Sequence, residues 1–448
     1  MTEAQRHQSN AVVVQGIRAP GTVSLPRMVR VRQAFPTPGR CDVEAEIHRR
    51  VDAPGIARRI PRGPVAVAVG SRGVAELPAI TKAVVDALRR HGAEPFVVPA
   101  MGSHGGATAE GQREVLVGLG VTEATVGAPV ISSMDVVDLG RLGDGSHVYW
   151  DREAQRAGAA VVIGRVKPHT AFRGVIESGL IKMAVIGIGK QRGAQSLHAP
   201  GFGAFAERLI EAWGVVAQRA PLLFGVAVIE DAYDAPVELD VVVPEAFLDR
   251  EPQLLDRARG LMAKLPVTEA DVLVVQEIGK NISGDGMDPN ITGRYPTPFA
   301  SGGPTIRKIA VLDLTLETQG NANGVGLADF IAQRVLEKMD LHATYMNALT
   351  STVIDSVRLP MLLATDRDVL DAAVLTAPAA DAAGPRLVYI RNTLALREVA
   401  VSEALIPHLL SHAAAAGQPF TLGFSENGAL RSPLVADRSG MGGASDAR

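Results

Sequence analysis

Short valine-rich apolar runs, glycine-bearing turns and amphipathic stretches follow one another along the chain, and this order predicts repeated strand–turn–helix units. Val65–Val69 is apolar at every position, which suits a strand covered on both faces. The turn Gly70-Ser71-Arg72-Gly73 follows it. A helix over Leu77–His91 comes next, ended by Gly92, and a strand at Phe96–Val98 completes a βαβ unit. Ala160–Gly164 and Met183–Ile188 read as two further strands, the first breaking into Arg165-Val166-Lys167-Pro168-His169 and the second ending in Gly189-Lys190. A helix near Phe205–Trp213 and a strand at Gly225–Glu230 follow. Earlier in the chain, Val12–Val14 and Met28–Val31 are short extended candidates.

A second α/β segment begins near Asp271. Val272–Val275, Ile309–Leu314, Pro360–Ala364 and Leu387–Ile390 read as strands, while Gly326–Met339 and Ser402–Ala416 read as helices. A loop rich in glycine and asparagine spans Gly279–Arg294, and its Asp285 and Asp288 read as a structured turn because no closing glutamate completes a calcium loop. The expected architecture is α/β and two-lobed. It has mostly parallel sheets flanked by helices, and a site in the cleft between lobes, with residues 1–268 forming one domain and 269–436 the other. Residues 1–10 and 437–448 read as loose. In such sheets ligands bind beyond the carboxyl ends of the strands, where the turns just named lie.

Composition narrows the function classes. A length of 448 residues corresponds to about three average domains or two large ones. Aromatic residues are 4% and the net charge is −3, which disfavours a stacking platform or an electrostatic attraction for nucleic acid. The single cysteine, Cys41, supports neither an internal disulfide nor a cysteine zinc site. No apolar run reaches bilayer-spanning length and the first ten residues lack a signal-peptide core. These features predict a cytoplasmic protein without nucleic-acid or membrane partners.

Three of the ten histidines sit in turns of similar character: His104 in Met101-Gly102-Ser103-His104-Gly105-Gly106, His169 in Lys167-Pro168-His169-Thr170, and His198 in Gln195-Ser196-Leu197-His198. Glycines there permit close backbone approach to a ligand, and imidazole suits proton transfer or metal ligation near neutral pH. Arg72 follows the first clear strand, where a guanidinium and a helix start can meet one anion. Lys182 stands beside a long apolar run, a context that either lets its stem snorkel or keeps its amine for chemistry. Gly187-Ile188-Gly189-Lys190 resembles a phosphate loop but lacks both the Walker spacing and the GxGxxG order. No HExxH, paired-cysteine or Gly-x-Ser-x-Gly motif is present.

Taken together, the Ser71–Arg72 turn, the His104 loop, Lys167-Pro168-His169-Thr170, Lys182 and His198 resemble the nickel-dependent lactate racemase family over residues 60–205. The separation of Lys182 from His198, 198 − 182 = 16, equals that between the family's cofactor-bearing lysine and its nickel-ligating histidine. The resemblance implies a nickel pincer nucleotide, a modified nicotinic acid mononucleotide joined to Lys182, with His198 as the protein's nickel ligand. It further implies His104 and His169 as the acid–base pair and Ser71, Arg72 and Gly73 around the cofactor. Arg72 and, from the second lobe, Lys280 would hold the substrate. The implied activity is racemisation or epimerisation at C2 of a 2-hydroxy acid, and the implied partners are that acid and the cofactor-synthesis enzymes.

The residue types fit that chemistry. A hydrogen on C2 of a 2-hydroxy acid is too weakly acidic for a side-chain base, whereas a hydride route needs only proton transfer at the hydroxyl, for which two imidazoles suffice. The chain also departs from the family's lactate-specific members. It has Gly70-Ser71 where they carry an acidic residue and a threonine, a segment from His169 to Lys182 three residues longer, and Ile181 in place of an arginine. The departures point to a larger hydroxy acid, such as a sugar acid. Two other readings share the scaffold: an oxidoreductase using a free nicotinamide dinucleotide, and a non-catalytic binder of a nucleotide or small acid.

Overall fold

The structure is a computed structural model that describes residues 14–71, 74–377 and 384–434. Arg72, Gly73, Val12–Val13 and the two segments expected to be loose lie outside the described residues. The chain enters at β1 (Met28–Gln33) and passes to β2 (Gly63–Val69) and β3 (Ala93–Pro99). It then forms a hairpin of β4 (Val136–Arg141) and β5 (His147–Asp151) and continues through β6 (Ala160–Arg165), β7 (Leu222–Glu230) and β8 (Pro236–Val242). The second half supplies β9 (Glu269–Val275), β10 (Thr305–Val311), β11 (Phe330–Ala332) and β12 (Met361–Leu363). It ends in β13 (Leu387–Ile390), β14 (Glu398–Ser402) and β15 (Ala413–Phe420).

Two α/β sheets result. The five-stranded one runs β3-β2-β6-β7-β8, parallel except for β8. The eight-stranded one runs β12-β11-β10-β9-β13-β14-β1-β15, parallel from β12 to β13 and antiparallel beyond. Both are mostly apolar on both faces, as the valine-rich runs require. In β2 the two faces differ in size: Val65, Val67 and Val69 pack toward the helix Leu77–Arg90, whereas Ala66 and Ala68 face the segment around Lys182. Small side chains on that face let a helix come close to the strand ends. In the first sheet the chain winds from β2 to β3 on one side and from β6 to β7 on the other. The crevice such a reversal opens lies at the carboxyl ends of β2 and β6. Ser71 follows β2 and His169 follows β6, so the topology brings their two loops to one place.

Four sequence expectations change. Met183–Ile188 is not a strand: Leu180–Lys182 begins a helix that continues through a wide π turn at Met183–Gly187, where Ile188 N–H reaches Met183 C=O at 3.0 Å. A wholly apolar run carries no periodicity with which to separate a buried helix from a buried strand. Gly187 makes the close packing possible, since a Cβ there would lie 2.7 Å from the carbonyl oxygen of Ala100 at the end of β3. Gly326–Met339 divides into a 3-10 turn, β11 and a short helix over Gln333–Lys338. Ser402–Ala416 is not a helix either: Pro407 confines Glu403–His408 to 3-10 geometry, and the alanines that follow form β15 against β1. Finally, β1 belongs to the eight-stranded sheet, so residues 28–33 pack with the second half although the 1–268 boundary placed them in the first. Distant pairing of this kind leaves no local mark in the sequence. Among the described residues no helix is long and apolar enough to cross a membrane.

Candidate active site

Lys182 sits at the last position of the helix Leu180–Lys182, one residue before the wide π turn. Such turns widen a helix at the cost of regular bonding and are common at functional positions. Its Nζ lies 2.5 Å from His169 Nε2. On the other edge of that ring, Nδ1 accepts the N–H of Ala171 at 3.0 Å, so the neutral ring carries its proton on Nε2, toward the amine. Burial, then the Lys182 charge, holds His169 well below the ordinary histidine range. At this separation ring and amine do not both stay cationic.

The loop that carries His169 is fixed from below and from the facing lobe. Glu177, fully buried, accepts the His169 N–H at 2.6 Å and is neutralised by Arg173 at 3.4 Å and Arg259 at 2.6 Å. Arg173 also donates to the carbonyl of His169 at 2.7 Å and reaches across to Asn290 Oδ1 at 2.6 Å and the Tyr295 hydroxyl at 2.7 Å. The long loop of the second half thus clasps the His169 loop. In that loop Asp288 caps the turn of helix at Pro289–Thr292, in keeping with a structured turn.

His198 ends the helix Lys190–His198. Its Nδ1–H donates to Ala194 C=O at 2.7 Å, and its ring stacks on Phe205 with centroids 5.0 Å apart. Burial foremost, with Lys182 next, lowers it to about 4. The imidazole is therefore neutral at pH 7 with its Nε2 lone pair unprotonated, the form a metal ion requires, and the Nδ1 bond fixes that tautomer. Lys190 is no phosphate ligand. It is fully buried, pairs with Asp151 at 2.9 Å and donates to Pro99 C=O at the end of β3, anchoring the start of the His198 helix.

His104 lies half-buried after β3, with its Nδ1 2.5 Å from Ser71 Oγ. The buried Gln112 side chain holds the loop by donating to Gly102 C=O at 2.8 Å. Gly105 is required there, because φ is +64° and a Cβ would stand 2.5 Å from the backbone of Gly111. Gly102 N–H bonds to Gly187 C=O at 3.1 Å, so the His104 loop is stitched to the segment between Lys182 and His198. Lys280 lies in the loop of the second half, where its Nζ donates to Gly284 C=O at 2.7 Å. The structure thus joins Ser71 with His104 and Lys182 with His169, and sets His198 at the end of the next helix. Arg72 and Gly73 fall outside the described residues.

One supporting residue had no sequence signal. Glu251, on the helix Phe247–Leu261, reaches the start of the Lys182 helix, where its Oε2 accepts the N–H of Ile181 at 2.9 Å. Its Oε1 is buried and has no hydrogen-bond partner among the described residues, and a side chain at Gly179 would overlap it. Burial without a cation pushes this carboxyl up to about 7 from the usual 4.5, against the weaker opposing pull of the Ile181 and Leu180 amides. Between those two pH values the folded chain keeps a proton that the unfolded chain releases. The contribution is fully present below pH 4.5 and is lost as pH rises through 7. Glu251→Gln keeps an acceptor for Ile181 but does not ionise. Denaturant unfolding should show the variant gaining on the wild type by on the order of a few kcal/mol between pH 5 and 8. A difference that stays constant over that interval would place the ionisation elsewhere.

No protein-family model matches the sequence, and the search of curated proteins found no match. Among solved structures the chain is similar to the lactate racemase apoprotein from Thermoanaerobacterium thermosaccharolyticum, with 12% sequence identity and a TM-score of 0.50. The match covers 82% of this chain and 99% of that one. At this identity the likeness shows the fold: mixed α/β, with mostly parallel sheets flanked by helices.

Proposed function

We propose that the protein is a racemase or epimerase acting at C2 of a 2-hydroxy acid, with a nickel pincer nucleotide attached to Lys182. The observation that carries this reading is the grouping of Lys182, His169 and His198. An amine lies against an imidazole at the strand-end crevice, and a second imidazole, at the end of the next helix, has its Nε2 lone pair available. The donor set fits the group. Lys182 would supply the tether, and His198 would supply one neutral nitrogen donor of the kind nickel accepts beside the cofactor's sulfurs. Among the described residues no cluster of three histidine, cysteine, aspartate or glutamate side chains could hold a metal ion unaided.

When bound, such a cofactor supplies a hydride acceptor. The protein's own groups manage the rest. His169, neutral under burial, is assigned to proton transfer at the substrate hydroxyl, which requires its proton to move from Nε2 to Nδ1 and the Ala171 bond to be given up, while the Glu177–Arg173 clasp holds its loop in place. His104, oriented by the Ser71 hydroxyl, serves the opposite face. Where lactate-specific relatives place an acidic residue and a threonine, the turn here has Gly70-Ser71 ahead of the arginine, which favours a larger hydroxy acid. Lys280 and Arg72 are assigned to the substrate carboxylate.

The test is co-expression with cofactor-synthesis enzymes, followed by intact mass, nickel content and a screen of 2-hydroxy acids in deuterated water. The expected protein carries an adduct and about one nickel, and inverts C2 of at least one acid without taking up solvent deuterium there. A loaded protein that exchanges C2 hydrogen with solvent would replace the hydride route by a carbanion one. A chain that stays bare under full cofactor supply would favour the non-catalytic binder.

A further inference from the structure

A cavity of about 360 Å³ lies where the two halves of the chain meet, within the range of small-molecule sites. One wall is the far side of the His169 loop, with Pro168 and Arg173. Another is the connection over residues 262–268 that leads into β9, and a third is the second-lobe loop with Ile291 and Tyr295. None of Lys182, His104, His169 and His198 lines it.

Its charge is one-sided. The lining contains three cations, Arg173, Arg259 and Lys264, and no carboxylate. Two of them are spoken for: Glu177, behind the wall, pairs with both arginines, and Arg259 also meets Asp256 at 2.8 Å. Lys264 is exposed and makes no ion pair among the described residues. Apart from these cations the surface is mainly aliphatic and glycine-rich, so a ligand that matches both features has an apolar body and one negative charge.

We propose that this cavity binds a small apolar carboxylate, its ring or chain against the aliphatic walls and its carboxylate at Lys264. The proposal does not depend on the chemistry assigned to Lys182. Because the walls come from the His169 loop, the connection between lobes and the loop that clasps Arg173, an occupant would brace these three pieces against one another.

The experiment uses the full chain and 1-anilinonaphthalene-8-sulfonate, an apolar monoanion that fluoresces when shielded from water, with benzoate and octanoate as competitors. The expected result is one saturable site per chain, from which at least one of the two carboxylates displaces the probe. Ala263→Phe, which puts a ring into the cavity, should abolish that site. Lys264→Glu, at an exposed position that does not threaten folding, should weaken binding at least tenfold, and the effect should shrink as salt is raised. Absence of a saturable site in the wild type, failure of both carboxylates to displace the probe, or affinity unchanged in Lys264→Glu overturns the proposal. If Ala263→Phe does not fold, the Lys264→Glu comparison decides alone.

Discussion

Lys182→Ala, produced alongside cofactor-synthesis enzymes, is expected to have the mass of its bare chain and no measurable C2 inversion, while the wild type carries an adduct. Lys182→Arg should behave in the same way, because a guanidinium keeps the charge but does not form the bond an amine forms. The structure limits rescue by a neighbour. Lys190, eight residues on, is locked in a buried pair with Asp151 and is not free to take over the attachment. Folding should survive the change, since Lys182 is only half-buried and its stem fills no core position. A melting temperature close to that of the wild type would therefore separate lost chemistry from lost structure. Removing the amine also takes the positive charge away from His169 and His198, whose titrations should move up toward the ordinary range, an effect readable by NMR without any cofactor. An adduct or full activity in Lys182→Ala would end the proposed function.

Much of this arrangement is legible in the sequence, and what is hidden has a physical cause. β2, β6, β9 and β13 are valid readings because each run is short, apolar and rich in β-branched or aromatic residues. The residues that follow them, Ser71 and His169 among others, could be placed at strand ends for the same reason. Met183–Ile188 misleads because complete burial erases the periodicity that separates helix from strand. The alanines of β15 carry good helix propensity, yet pairing with β1 overrides it, as tertiary contacts do when local preference is weak. The supports of the site are the least visible. Glu177, Arg259 and Glu251 look like ordinary charged residues in helix or loop text. They become specific only when the helix Phe247–Leu261 lays Glu251 against the start of the Lys182 helix and Arg259 against Glu177. No local pattern states that helix's destination.

His169→Asn and His104→Asn should each lower C2 inversion by roughly 10²- to 10⁴-fold, the usual contribution of a positioned acid or base. Asparagine is the informative replacement at both positions, because its side-chain amide occupies the place of Nδ1. At 169 it can still accept the Ala171 N–H, and at 104 it can still meet the Ser71 hydroxyl, so each loop keeps its local bond while the Nε2 edge disappears. Cofactor attachment should persist in His104→Asn, which leaves the Lys182–His169 pair in place. In His169→Asn the imidazole beside Lys182 is gone, so intact mass has to be read before the rate is interpreted. For the loaded proteins the overall equilibrium constrains the outcome. Inversion links the same two stereoisomers in every variant, so loss of either base must depress kcat/KM in the two directions by one common factor. What differs is the pH profile. With His169 held well below the usual histidine value, the acid limb assigned to it should lie under pH 6.5 and vanish in His169→Asn. A His104→Asn enzyme that keeps its full rate would mean one imidazole serves both faces, and the two-base assignment would fall while the tether and the metal ligand stood.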